Sequence, residues 1–560
     1  MALRLVTRSV VGLGGATAAM ITYRYQTTIK RRQQDLPTQS YAPTSPVDKS
    51  SIPVYIIGGG VVGVTTAYKL ALQNQQQRKN RYQIIVLEPR DAPGTECSRC
   101  AAGGMQISNP SVDANTWMAV TKCLLPITLK RLVFGSETIT TSQSFNFFNI
   151  SWKETLTDPF FIRWLYTFTK TSLFPSVEEA RDHEAKQTEM LNFTNYAVND
   201  MVKLFNRHRK LAKAVGYNPN GSLSLVYDEP AKKTTDSNKD DSKVSSTSSS
   251  SANPTSSKMN FEPSRRLDQK ELLSLEPSIR HQVALPTQAT FQYQARAASA
   301  ERFTQQIEAM CNKIDRSVTF DYGCKVQGIT MTHTDSQEGR IAKLHTNKGV
   351  MEIPDNAHIV VAAGAWTPHV LSLIDLYVPV YPLTGYAMSL SAKEVLRKNR
   401  NLRARDLPQR IVADKYMFTS RLGEDEIRIT SIGEFQGWST SPTPSVDAEF
   451  RREAKRQFPQ MANCIDQAKT YCGHRPYVND GILILGAVPN YRNLYVSCGP
   501  GSNGWKLAMG SGEVIARLVS GQTPPQIQSD LGFDCGAFSP ARRVLYAPLF
   551  AKVCRVRWDI

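Results

Sequence analysis

Residues 54–88 read VYIIGGGVVGVTTAYKLALQNQQQRKNRYQIIVLE: a short apolar strand, a glycine-rich turn, a helix, and a second apolar strand ending in an acid. That order constrains the fold more than any other stretch, because it is the fingerprint of a βαβ unit that binds a dinucleotide. Gly58 permits the tight bend from strand to helix, Gly60 lets the backbone approach a pyrophosphate, and Gly63 lets helix and strand pack closely. The helix that starts there aims free N–H groups at the phosphates. Glu88 closes the second strand, where a carboxylate accepts hydrogen bonds from the hydroxyls of an adenosine ribose and repels a 2′-phosphate. An α/β fold follows, with an adenine dinucleotide of unphosphorylated ribose as ligand.

At 560 residues the chain is long enough for two or three structural units. The net charge of +18 would suit a nucleic-acid binder. However, Arg4, Arg8, Arg24, Lys30, Arg31 and Arg32 crowd into an acid-free start, and the other basic residues are scattered without a basic helix or interleaved aromatics. No nucleic-acid partner is expected. Residues 1–34, basic and rich in Ser, Thr and Ala, have the composition of a mitochondrial presequence. Their apolar stretch is shorter than the ~20 residues that span a bilayer. This leads to the expectation of a mitochondrial protein, in the matrix or associated with the inner membrane, with a secretory signal or a short membrane anchor as the alternative reading of the leader. Ten cysteines without the dense spacing of a secreted scaffold fit a reducing compartment. Cys97 and Cys100 form a single CxxC with no second pair to complete a zinc site, so no metal is expected.

Residues 35–52 read as a linker. Residues 231–260, nearly devoid of apolar side chains and carrying a run of serines, are expected to be a disordered insertion. Residues 152–174 and 188–214 suggest a helical layer of a second domain, and strands are expected at 222–227, 318–320 and 359–363. Gly364 follows the last of these, where the backbone can come close to a cofactor.

A second glycine turn (Gly499, Gly501, Gly504) lies between the strand 494–498 and a helix that continues past Gly512. One long cofactor held from both ends would account for two such turns. This region, with Arg475-Pro476, Asp480-Gly481, Gly504-Trp505 and the Gly510-Ser511-Gly512 run, resembles the end of bacterial D-amino-acid dehydrogenases. More broadly it resembles the family of D-amino-acid oxidase, glycine oxidase and sarcosine oxidase. The stretches ECSRCAAGG (96–104), DPFFIRW (158–164), YPLTGYAMSL (381–390) and 415–437 agree in order.

The resemblance implies FAD as cofactor and a Rossmann-type FAD-binding domain interleaved with an antiparallel-sheet substrate domain. The FAD-binding domain is expected from 53–110, 295–370 and 471–530, the substrate domain from 111–294 and 371–470, and a tail from 531–560. The implied chemistry is oxidation of the CH–NH group of an amino acid, a D-amino acid foremost, with hydride passing to the flavin and water hydrolysing the imine. A membrane quinone or an electron-carrier protein would take the electrons, with peripheral membrane association.

Arg475 matches the family's carboxylate-binding arginine, a role suited to a planar guanidinium. Tyr386 and Tyr416 are expected to reach the substrate face. Gly58, Gly60, Gly63, Glu88, Ser98, Ala102, Gly103, Gly364, Gly501, Ser502, Asn503, Gly504 and Trp505 are expected at the cofactor, with the last helix directing N–H groups at the flavin's pyrimidine edge.

Three positions depart from the bacterial pattern: Ala101 stands where those enzymes have asparagine, Thr384 where they have lysine, and Pro500 where they have histidine. The changes bear on electron acceptor and substrate preference. Two alternatives remain open at this point: oxidation of sarcosine, dimethylglycine or glycine, and a non-catalytic flavoprotein that assists respiratory-complex assembly.

Overall fold

Apolar strands that must be buried on both faces form a parallel sheet at the centre of one half of the molecule. A computed structural model describes residues 39–43, 50–77, 81–107, 148–151, 155, 157–173, 176–227, 264–333 and 338–557. The leader expected at 1–34 and the serine-rich insertion expected at 231–260 lie outside the described residues. The sheet runs, in spatial order, Ile484–Ala487, Leu494–Cys498, His358–Val361, Ile52–Ile57, Tyr82–Glu88, Val318–Tyr322. All neighbours are parallel except the edge strand Ile484–Ala487. Ile52–Ile57 sits between Tyr82–Glu88 and His358–Val361, so the first glycine turn leaves the carboxyl end of a strand where the order reverses, the place where such sheets bind ligands.

The second half is built on a larger sheet, ordered Tyr471–Val478, Val380–Ser391, Glu426–Phe435, Met417–Leu422, Ile411–Ala413, Ser222–Val226, Gln288–Gln292, Ser264–Asp268. Its pairs are antiparallel apart from Ile411–Ala413 with Ser222–Val226 and the short strand Phe148–Ile150 beside Glu426–Phe435. A separate three-stranded sheet, Val326–His333, Gly339–Thr346 and Gly349–Glu352, packs against the parallel sheet of the first half through Val326, Ile341, Leu344 and Met351. Part of the expected linker docks there: Tyr41 N–H donates to Val350 O at 2.7 Å, and the Tyr41 hydroxyl donates to Asp321 at 2.9 Å.

The helix Val177–Arg207 is longer than its apolar spacing predicts, because a capping box between Ser176 and Glu179 starts it in a polar, exposed stretch. It ends at His208, whose backbone leaves helical geometry, and a separate short helix, Arg209–Ala214, follows. Its partner also differs from expectation. Rather than roofing the substrate sheet, it buries Met190, Phe193, Ala197, Val198 and Met201 in the core of the nucleotide-binding half. A Cβ on Gly510 would lie 2.7 Å from Phe193 and 2.8 Å from Ala197, so the glycine lets the helix Gly504–Val519 come that close. Lys69, on the helix Val61–Gln77, ties the three helices together through Asp200 at 2.6 Å and Glu513 at 3.0 Å. The periodicity of a helix reveals that a face is buried but not what it is buried against.

Residues 531–557, expected as part of a tail, are built into the fold. Cys535 and Phe538 are buried in the nucleotide-half core, Leu545–Tyr546 pairs with Leu376–Tyr377, and Phe550 of the helix Pro548–Arg557 packs edge-on against Phe160.

Candidate active site

The glycine turn is a matter of interatomic clearance. A Cβ on Gly63 would lie 1.9 Å from Gly58 O, and one on Gly58, at φ +115°, would lie 2.5 Å from Ala362 O, so neither position accepts a side chain. Around Gly60 and Gly364, by contrast, an added Cβ would meet nothing within 4 Å. Both border a cavity of about 290 Å³ that runs from Glu88 at one end to Arg475 at the other.

Glu88 is buried, with Oε2 accepting from Gly59 N–H at 2.6 Å and Oε1 from Arg90 N–H at 3.0 Å. Burial raises its pKa, and the two N–H donors work against the rise. Each carboxylate oxygen keeps a further acceptor site for a ribose hydroxyl. Ser98 Oγ accepts from Val61 N–H at 3.2 Å, so a side chain from a distant loop engages a first-turn donor of the helix Val61–Gln77. Leu87, Cys324 and Val326 line this end as well.

At the far end, Gly501, Ser502, Gly504 and Trp505 line the cavity from the short 3₁₀ turn Gly501–Asn503 and the start of the helix Gly504–Val519. Arg475 enters from Tyr471–Val478. Diagonally across on Val380–Ser391, Gly385, whose register partner is Gly473, leaves room for the guanidinium: a Cβ there would lie 2.5 Å from Nη2 and 2.6 Å from Cζ. Burial lowers the Arg475 pKa, with the neighbouring Cys97 and Cys100 pulling the other way. A guanidinium starts high enough to stay charged.

The wall beside Arg475 is aromatic. Trp366 and His369 line it, and Trp438 packs behind them with ring centroids 4.8 Å from Trp366 and 4.0 Å from His369. Burial pushes His369 down to about 3, so its ring is neutral at physiological pH. Glu96 holds the wall in place, accepting from Trp366 Nε1 at 2.9 Å and pairing with Arg90 at 3.3 Å. His474, also buried and lowered by burial, faces the Thr384 hydroxyl through Nδ1 at 3.1 Å.

Most of the expected cofactor residues border this cavity: Gly58, Gly60, Glu88, Ser98, Ala102, Gly364, Gly501, Ser502, Gly504 and Trp505. Gly63 lies behind the turn, in contact with Gly58. Gly103 and Asn503 do not line the cavity. Gly103 O instead accepts from Trp505 Nε1 at 3.0 Å and from Ala298 N–H at 2.9 Å, anchoring the 98–104 loop.

Two expectations need correction. Tyr386 lies one residue beyond Gly385, on the opposite face of its strand. It is buried against Phe450, donates to Glu434 Oε2 at 2.6 Å and accepts from Thr443 N–H at 2.8 Å. Tyr416 packs against the same substrate-half core. Neither lines the cavity. Of the departures from the bacterial pattern, Ala101 and Pro500 line the cavity and Thr384 does not. Cys498 also lines it, its thiol pushed up to about 12 by burial, whereas Cys472 does not.

Sequence reasoning missed Gly385, Gly473, Glu96, Trp366 and His369. A glycine within a strand marks a close approach, and both Gly385 and Gly473 carried that signal.

The cavity fits an extended dinucleotide: acid and glycine turn at one end, a second strand-to-helix glycine turn at the other, and open space where added Cβ atoms would project. A family model described as FAD dependent oxidoreductase matches residues 53–518. The chain is 27% identical to a D-amino acid dehydrogenase of Methylobacterium radiotolerans over 489 residues, covering 85% of this chain and 98% of that protein. It is 24% identical to one of Rhizorhabdus wittichii, covering 86% and 99%. Among solved structures, glycine oxidase from Geobacillus kaustophilus superposes with a TM-score of 0.52 at 18% identity, covering 88% of this chain and 99% of that one. Iminodiacetate oxidase from Chelativorans gives 0.51 at 16%, covering 84% and 96%. These two likenesses concern the fold.

Proposed function

The chain belongs to the FAD-dependent oxidoreductase family, and on that premise we propose that it oxidises the CH–NH group of a D-amino acid to an imino acid, which water hydrolyses to a 2-oxo acid and ammonia. The observation that carries this reading is the Arg475 guanidinium in the wall of the cavity whose other end is the dinucleotide turn. FAD supplies the hydride acceptor. Gly58, Gly60, Glu88, Gly364, Gly501, Ser502 and Gly504 would hold it, with the start of Gly504–Val519 presenting N–H groups that favour negative charge.

Arg475 takes the substrate carboxylate, so one end of the amino acid is held and its Cα–H has a defined direction. Trp366 and the neutral His369 exclude water from the reacting carbon without placing a second positive charge beside the amine. A substrate bound as the free amine needs no protein base at Cα. The names of the curated relatives support a D-amino acid.

Electrons leave to a membrane quinone or an electron-carrier protein from a protein on the mitochondrial inner membrane or in the matrix. The basic, acid-free leader supports that location. Among the described residues no helix is long and apolar enough to cross a membrane.

The test is anaerobic addition of D-, L- and N-methyl amino acids to the purified holoprotein while flavin absorbance is followed. D-amino acids bleach the flavin. If N-methyl amino acids bleach it and D-amino acids do not, the substrate is a secondary amine; if none does, the dehydrogenase reading fails.

A further inference from the structure

Cys97 and Cys100 of the CxxC both line the cavity that the cofactor residues border. Three consecutive i→i+3 hydrogen bonds shape the segment that carries them: Arg99 N–H to Glu96 O and Cys100 N–H to Cys97 O, each 3.1 Å, and Ala101 N–H to Ser98 O at 3.3 Å. In such a turn, side chains three apart project from the same side. A rise of about 2 Å per residue separates their Cα atoms by about 6 Å, within the span that a disulfide bridges. The segment lies flush on the strand bearing Arg475, since a Cβ on Gly473 would lie 2.6 Å from Cys100 Cβ and 3.3 Å from Cys97 Cα.

Both thiols are free, and burial pushes them up to about 12 and about 11. Arg475 beside Cys97, and Arg428 and Arg99 beside Cys100, work against that rise. Protonated, half-buried thiols exchange slowly with thiols in solution. A redox partner inside the same cavity is not limited in that way.

We propose that Cys97 and Cys100 form a dithiol–disulfide couple that exchanges an electron pair with the FAD bound in this cavity. On oxidation the two S–H bonds break and one S–S bond forms. Two electrons and one proton go to oxidised FAD, and the second proton goes to solvent. In reverse, reduced FAD and one solvent proton return both thiols. The couple lets the protein hold two further electrons per flavin between substrate oxidation and delivery to the acceptor. The inference rests on FAD binding and not on the identity of the amine substrate.

The experiment is anaerobic dithionite titration of the oxidised holoprotein, with alkylation and peptide mass analysis before and after. The parent takes up four electrons per FAD, and the peptide containing residues 97–100 carries no alkyl group before reduction, its mass two hydrogens below that of the dithiol, and two alkyl groups after it. Cys97→Ser and Cys100→Ser each take up two electrons. A parent that takes up only two, variants that take up four, or a bridge joining Cys100 to Cys472 instead would overturn the couple. If a variant loses its flavin, the mass difference in the parent decides alone. A parent that takes up four electrons from dithionite but is bleached by no amine would leave the couple standing and remove the amino-acid reading.

Discussion

The two ends of the cavity are built by different means. At the Glu88 end, the glycine turn, the helix it opens and the acid come from one continuous stretch, and the contacts that define it are largely backbone. At the Arg475 end, the guanidinium, the glycine beneath it, the cysteine turn and the aromatic wall come from four separate segments, joined by the pairing of Tyr471–Val478 with Val380–Ser391. The first end is shaped by backbone geometry that any chain with those glycines can make. The second is shaped by side chains that only this packing assembles.

The sharpest way to break the contrast is Gly63→Ala, which places a methyl group against a backbone oxygen at 1.9 Å. Neither atom can yield without opening the turn, at about 3 kcal/mol or more. The purified protein should retain little FAD, read from its absorbance ratio at 450 and 280 nm.

The other end should fail without losing cofactor. Arg475→Ala is expected to lower kcat/KM by roughly a hundredfold or more with flavin content unchanged. Gly385→Ala, which displaces the guanidinium without removing it, should cost roughly tenfold, mainly in KM. If Gly385→Ala emptied the flavin site instead, the two ends would be one structural unit.

Tyr386→Phe tests the corrected position of that residue. Removing the hydroxyl leaves Glu434 and the Thr443 N–H each short of a buried partner, so thermal unfolding should show a loss of about 2 kcal/mol with KM unchanged. A change in KM without a change in stability would return Tyr386 to the substrate face.

The effect that is smallest per pH unit is electrostatic. His369 stays neutral in the folded protein down to about pH 3 but takes up a proton below about 6.5 once unfolded. The unfolded state therefore binds more protons in that window, and stability rises with pH. Acidification should cost about 1.4 kcal/mol for each pH unit below 6.5. His369→Phe should reduce the pH slope of unfolding by one proton.

How much was legible depends on the distance over which the contacts act. The strand, turn and helix around Gly58–Gly63, Glu88 and the second glycine turn were readable because each position's requirement is set by neighbours a few residues away. Arg475 was readable only through resemblance. Tyr386 was not placed by its strand because alternation separates two faces without saying which one borders the ligand, and Tyr416 lies just before the strand Met417–Leu422, where alternation gives no guide. The register irregularity between Thr384 and Tyr386, opposite Glu426–Phe435, disturbs the alternation further. Helix Val177–Arg207 went to the wrong half because its apolar stripe would suit either core.

The sequence by itself determined an α/β chain with a glycine turn between strand and helix, an acid at the end of the next strand and a second strand-to-helix glycine turn, since these follow from local backbone geometry. Only the tertiary structure decided that Gly385 and Gly473 face Arg475 and the Cys97–Cys100 turn, that Trp366 and His369 wall the same space, and that residues 531–557 belong to the core. Those juxtapositions are set by the pairing of strands far apart in the chain and by the burial of apolar faces, neither of which leaves a local trace.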